Sequence, residues 1–139
     1  LVHLLSDPLP RTRSNSAGAL GNLVRHSPIL CSCLLESRVP ESLLDVACND
    51  GSSEVRETAL VSLRLLCRNP SCREKLVALK IQQRLQGVLE HARQSSSSSY
   101  SNSTPSTPSS TVTTESSVSD HCVRILKKLK TQSRFKDKY

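Results

Sequence analysis

Aromatic side chains are almost missing from this 139-residue chain: Phe135, Tyr100 and Tyr139 are the only three, and tryptophan and methionine are absent. A core must therefore be assembled from leucine, valine, isoleucine, alanine and cysteine, which suits thin layers of helix on helix. Long apolar runs are also missing. No stretch of about 18 apolar residues is present, so no membrane-spanning helix is expected. Acidic residues are missing from one end: residues 121–139 carry seven cations, from Arg124 to Lys138, against Asp137 alone. The net charge of +7 thus belongs to the tail, because residues 1–94 hold 12 Lys/Arg against 9 Asp/Glu.

What the chain does contain is a repeat. Thr12 to Leu23 reappears as Val55 to Leu66, shifted by 43 residues, and Leu34 to Val39 reappears as Leu76 to Ile81, shifted by 42. One residue of slack lies between the two blocks, ahead of Pro28 and Pro70. A period of about 40 to 47 residues carrying only helical signals is that of armadillo and HEAT arrays. In such arrays each unit buries its apolar face against its neighbours. The predicted class is all-α, an armadillo/HEAT-like α-solenoid fragment with a disordered Ser/Thr-rich insert. Because Leu1 lies inside an apolar run, the chain is expected to be part of a longer protein.

Punctuation along the chain divides each unit into three helices. Asp7-Pro8-Leu9-Pro10 stops an opening turn, since proline removes a donor and pushes its predecessor out of helical space. A first helix follows from about Arg11 to His26, with Ser16, Ala19, Leu20 and Leu23 as its packed face. Ala17-Gly18-Ala19 and Gly21 make this helix small-sided, open to close approach by another. Pro28 opens a second helix to Glu36, and Pro40 opens a third to Cys48. After the turn cluster Asn49 to Ser53 the cycle restarts, with Val55, Ala59, Leu63 and Leu66 as a core stripe. Ser71 and Glu74 have capping-box spacing, and Ile81, Leu85, Val88, Leu89 and Ala92 carry the last helix to about Arg93.

Residues 1–94 thus read as two helical units preceded by the end of another. Residues 95–119 differ: 18 of these 25 are Ser or Thr. Such a stretch buries too little apolar surface to offset its ordering entropy and is predicted to be a disordered linker. Thr104-Pro105 and Thr107-Pro108 make Thr104 and Thr107 candidate phosphorylation sites. Asn102-Ser103-Thr104 is a glycosylation sequon in form; with no signal peptide in view it is expected to go unused. From Asp120 helical rhythm returns, with Cys122, Ile125, Leu126 and Leu129 on one stripe and Lys127, Lys128 and Lys130 facing away. Residues 120–139 read as a capping helix and basic tail.

Chemistry has little to stand on. The six cysteines are expected as buried free thiols in a reducing compartment. Cys31-x-Cys33 and Cys67-x4-Cys72 lack the second pair that zinc spacing requires. His3, His26, His91 and His121 stand apart, each near a predicted helix end. No nucleophile elbow, phosphate-cradling glycine loop or metal-ligand helix motif is present. No catalytic, cofactor-binding or metal residue is therefore assigned.

Ser6 to Arg13 followed by Ala17-Gly18-Ala19-Leu20-Gly21-Asn22-Leu23 has the pattern of an armadillo first helix. Together with His121-Cys122-Val123-Arg124-Ile125-Leu126 after a Ser-rich gap, it resembles the C-terminal regulatory region of the Fused-type serine/threonine kinases. Where armadillo units place a glycine between their second and third helices, this chain has Ser37-Arg38 and Leu79-Lys80. The resemblance implies a parent with an N-terminal kinase domain using ATP and Mg, and roles in Hedgehog signalling and motile-cilium central-pair assembly. It implies a cytoplasmic, nuclear or ciliary location. No kinase residue carries over, because the chain holds no glycine-rich loop, catalytic-loop motif or DFG triplet.

Third helices line the concave face of armadillo arrays, which makes Asp45, Cys48, Gln82, Gln83 and Gln86 candidate protein contacts. The expected function is a non-catalytic protein-binding scaffold whose partners are other proteins, with no nucleic acid. A second reading assigns residues 124–138 to an electrostatic module for anionic membrane or nucleic acid.

Overall fold

The computed structural model describes residues 1–97 and 111–136. Among these residues the chain is all-helical, without a strand. A 3₁₀ turn (Val2–Ser6) leads into α1 (Pro10–His26), a second 3₁₀ turn (Pro28–Leu30), α2 (Cys31–Glu36) and α3 (Val39–Asn49). The same succession returns as α4 (Ser53–Leu66), α5 (Pro70–Ala78) and α6 (Ile81–Ser97), followed by α7 (Thr111–Lys136). Helix α1 packs on α4 and α4 packs on α7, while α3 lies against α4 and α6.

Each helix starts where local chemistry allows it. Pro10, Pro40 and Pro70 occupy first-turn positions of α1, α3 and α5, where a missing N–H costs nothing. At α5 the Asn69 side chain accepts the Cys72 N–H at 3.1 Å. Asn69 is therefore the N-cap, and the Ser71/Glu74 capping box is not formed because Ser71 already lies inside the helix. Arg38 and Lys80, which precede α3 and α6, both adopt φ of +57°. No glycine serves either turn, so both put a side-chain-bearing residue into left-handed space.

The core is a leucine lattice. Leu43, Leu44, Leu60, Leu63, Leu66, Leu76, Ile81, Leu85 and Ile125 are fully buried. Each such side chain contributes about 2 kcal/mol by leaving water, and no aromatic is needed. Positions related by the repeat share this burial: Leu20 with Leu63, Leu34 with Leu76, Val39 with Ile81, Leu43 with Leu85.

The α1 face is rotated from the one expected on sequence. Ala17, Leu20, Gly21 and Val24 are buried, whereas Ala19 and Leu23 are half-buried. Small residues decide this, because they permit the closest contact with α4. A Cβ added at Gly21 would lie 2.8 Å from Ser62 Cβ and 2.9 Å from its Cα. The hydroxyls buried at this contact are all satisfied: Ser62 donates to the Ala17 carbonyl at 2.7 Å, and Ser14 pairs with Thr58 at 2.9 Å. Contacts advancing together from 14/58 to 21/62 show that α1 and α4 run in the same direction.

Helix α7 begins at Thr111, so the boundary expected at residue 120 falls inside it. Val118 is the reason. It extends the Cys122, Ile125, Leu129 stripe back by one turn and is buried against the core. Ser117 adds a hydrogen bond to Glu57 at 2.6 Å. Helix α6 likewise runs on to Ser97. Thr104, Thr107 and the sequon at Asn102 lie outside the described residues.

Substituting Gly21 by Ala should destabilise the chain by about 2 kcal/mol, since overpacking outweighs the gain in helix propensity. Gly87→Ala, where nothing lies within 4 Å of the added carbon, should stabilise it by up to about 1 kcal/mol. Urea unfolding of both variants checks the contrast, and equal effects would refute the close-packing account. In the same assay Arg38→Gly should raise stability by about 0.5–1 kcal/mol by relieving the left-handed backbone, whereas Ser37→Gly should lower it.

Candidate protein-contact surface

Helix α3 buries Val39, Pro40, Leu43, Leu44 and Ala47, which turns Asp45 and Asn49 outward. Helix α6 buries Ile81 and Leu85 and leaves Gln82, Gln83 and Gln86 exposed. The two outer faces are joined by one ion pair: Arg84 Nη2 lies 3.1 Å from Asp45 Oδ1. Asn49 donates to the same oxygen at 2.8 Å. Asp45 is thus oriented from two sides while remaining largely solvent-exposed. Such an exposed pair contributes little stability, typically below about 1 kcal/mol, so it orients the surface more than it holds the fold together.

Cys48 is half-buried beside Arg84 and Asp45, and its thiol is pushed up from the ordinary value by burial. Gln82 and Gln86 stand one helical turn apart and share a face. Amides present donors and acceptors without charge, which suits hydrogen bonding to a peptide backbone. Asp45 and Cys48 are therefore brought to Arg84 and the glutamine row next to it. Arg84 and Asn49 were not singled out from sequence. Their roles come from α3 meeting α6, and no spacing within either helix encodes that meeting.

Behind this surface, ion pairs tie the units together. Arg13 of α1 makes a two-pronged contact with Asp50, at 2.7 and 2.9 Å, and donates to the Asp7 carbonyl at 2.8 Å. Asp50 also accepts the Ser52 N–H at 2.8 Å, at the start of α4. Hydrogen bonding from Arg13 holds the Asp50 carboxyl below its usual value. Lys75 of α5 pairs with Glu41 of α3 at 2.9 Å. Burial pushes the Glu41 carboxyl up, but the Lys75 hydrogen bond and nearby charges outweigh it and the net shift is downward.

The reactive residue types are placed for structure. All six cysteines are unbridged; Cys31, Cys67, Cys72 and Cys122 are buried, and Cys33 is exposed. Burial pushes the Cys67 thiol up to about 11 and the Cys122 thiol up to about 12. Burial, with the neighbouring Cys31 thiol, takes Cys72 to about 12. Such thiols stay protonated near neutrality, so they are poor nucleophiles and poor metal ligands. Among the described residues no group of three or more His, Cys, Asp and Glu is arranged to hold a metal. His121 is not at a helix end. It lies within α7, with Nε2 3.5 Å from Glu57 Oε1, because the helix starts earlier than expected. Within the described residues no helix is long and apolar enough to cross a membrane.

Two proteins are similar to this chain over 85 residues, and both are protein kinases. The chain thus matches one segment of a much larger serine/threonine kinase polypeptide. The relatives are serine/threonine-protein kinase 36 from Pongo abelii, 41% identical, and serine/threonine-protein kinase 36 from Mus musculus, 38% identical. The matched stretch is 61% of this chain and 6% of either relative. No family model matches the chain, and no solved structure does.

The Arg13–Asp50 contact makes stability depend on acid. A carboxylate whose native pKa is depressed contributes stability that is fully present above its ordinary value of 3.8 and is lost as pH falls through the native value. Asp50→Asn should therefore lower the urea midpoint at neutral pH and flatten its decline in acid. Parallel acid limbs for the variant and the parent chain would exclude this pair as a source of the dependence.

Proposed function

We propose that the chain is a non-catalytic protein-binding scaffold, part of an armadillo-type solenoid within a protein kinase polypeptide. The observation that carries this reading is structural recurrence. The left-handed residues Arg38 and Lys80 fall one period apart, each ahead of a third helix with matching buried positions. Stacking of first helices α1, α4 and α7 supports the same arrangement, in which each unit completes its core only through its neighbour.

In that arrangement α3 and α6 form the inner face, and Asp45, Cys48, Gln82, Gln83 and Gln86 are its partner contacts, with Arg84 and Asn49 orienting Asp45. Similarity to serine/threonine-protein kinase 36 supports a parent whose ATP- and Mg-dependent catalytic domain lies in another part of the polypeptide. A role in Hedgehog signalling and in assembly of the ciliary central pair, with a cytoplasmic, nuclear or ciliary location, belongs to the same proposal through the resemblance to Fused-type kinases. The candidate modification sites Thr104 and Thr107 would then regulate the segment between α6 and α7.

The test compares proteins retained by the intact chain with those retained by Asp45→Arg/Gln82→Ala/Gln86→Ala. All three positions are exposed, so thermal unfolding should be unchanged. Recovery of a partner that uses the inner face should fall roughly tenfold, the scale of losing one hot-spot contact. Unchanged recovery of every retained protein would sink the assignment.

A further inference from the structure

The α4–α7 contact repeats the α1–α4 contact one unit further on, with different chemistry. Between α1 and α4 the groups that meet are neutral: Ser14 pairs with Thr58 at 2.9 Å, and Ser62 donates to the Ala17 carbonyl at 2.7 Å. Glu57 occupies the repeat position of Ser14, 43 residues on. Its Oε1 accepts the Ser117 hydroxyl at 2.6 Å and lies 3.5 Å from His121 Nε2. Ser117 and His121 stand one turn apart on α7 and share a face. One carboxylate oxygen of α4 thus takes both.

The apolar backing beside this contact is small. Val118 and Cys122 are buried next to it, whereas the larger Ile125 and Leu129 lie further along α7. Ser117 is half-buried and falls in the second turn of the helix, and terminal turns open at low cost. An ionised carboxylate only accepts hydrogen bonds, so the contact holds while Ser117 brings a proton to it. Replacing that proton by a phosphoryl group removes the donor and sets a charge of about −1.5 to −2 beside Glu57. His121 can offset only part of this: its Nε2 already faces Glu57, and its Nδ1 is buried without a hydrogen-bond partner. Two anions facing each other would then push the helices apart.

We propose that Ser117 is a phosphorylation site whose modification releases the first turns of α7 from α4. Ser117 Oγ attacks the γ-phosphorus of a nucleoside triphosphate held by the modifying kinase. An O–P bond forms, the bond from that phosphorus to the bridging oxygen of the nucleoside diphosphate breaks, and the hydroxyl proton passes to the kinase's base. Asp120, exposed three residues further on, supplies the carboxylate that acid-directed serine/threonine kinases read with Arg and Lys. Ser116 and Ser119 have no acidic residue at that spacing. No proline follows Ser117, which separates this site in class from Thr104 and Thr107. The proposal goes beyond the protein-contact reading of α3 and α6 and does not depend on it.

The experiment treats the full chain with an acid-directed kinase and ATP, locates phosphate by mass spectrometry and follows hydrogen exchange along α7. Phosphate on Ser117 is expected. Exchange across residues 116–122 should become at least about tenfold faster, the scale of losing one hydrogen bond to a charged group, while α1 stays unchanged. Ser117→Ala should carry no phosphate in this segment. Glu57→Gln should reduce the acceleration, because a neutral amide still accepts the hydroxyl but does not repel the phosphoryl group. Ser117→Glu, which needs no kinase, should open the same residues more weakly. No phosphate on Ser117 overturns the site. Unchanged or stronger protection after phosphorylation, or full acceleration in Glu57→Gln, overturns the release. None of these results touches the test of Asp45, Gln82 and Gln86, so the two readings fail separately.

Discussion

The close approach of α1 to α4 at Gly21 and Ser62 is the contact on which the rest of the structure depends. With a Cβ on residue 21 the two backbones could not come so near. Their spacing sets where Ala17, Leu20 and Val24 meet Leu60 and Leu63, and hence which faces remain for α3 and α7. The Ser62 hydroxyl, buried at this contact, donates to the Ala17 carbonyl and so avoids the cost of an unpaired polar group. A core of leucine, alanine and cysteine has no large aromatic to wedge into gaps. Close backbone approach supplies the packing that aromatic volume supplies elsewhere.

Ion pairs then link neighbouring helices, with the Arg13–Asp50 contact the most buried of them. Arg13 reaches from α1 to the turn after α3, Lys75 reaches from α5 to α3, and Arg84 reaches from α6 to α3. Helix α3 or its end is a partner in all three, which places the helix bearing Asp45 and Cys48 at the centre of the network. The surface they offer is polar and lightly charged.

Similarity to a segment of serine/threonine-protein kinase 36 agrees with what the residues lack. Burial keeps the Cys67, Cys72 and Cys122 thiols protonated near neutrality, and His121 lies within α7 beside Glu57. The match covers 6% of either relative, so the chain corresponds to one small segment of a kinase polypeptide.

The repeat, the helix count, the proline-marked helix starts and most of the buried leucines were legible in the sequence, because each depends on neighbours within a few residues. At residues 38 and 80 only the lack of glycine was legible, and the left-handed backbone there is seen in the structure alone. Three features were not. The α1 face turned by one residue because its small residues Ala17 and Gly21 pack closest against Ser62 of α4, a partner 41 residues beyond Gly21. The start of α7 moved back to Thr111 because Val118 and Ser117 found Leu-rich α4 and Glu57, partners about 60 residues away. Arg84 acquired its role from Asp45 on another helix. Local rhythm determines where helices form and roughly which residues are apolar. Which side of each helix is covered, and which charges are brought together, was decided only when the helices packed, since those contacts join residues the sequence keeps far apart.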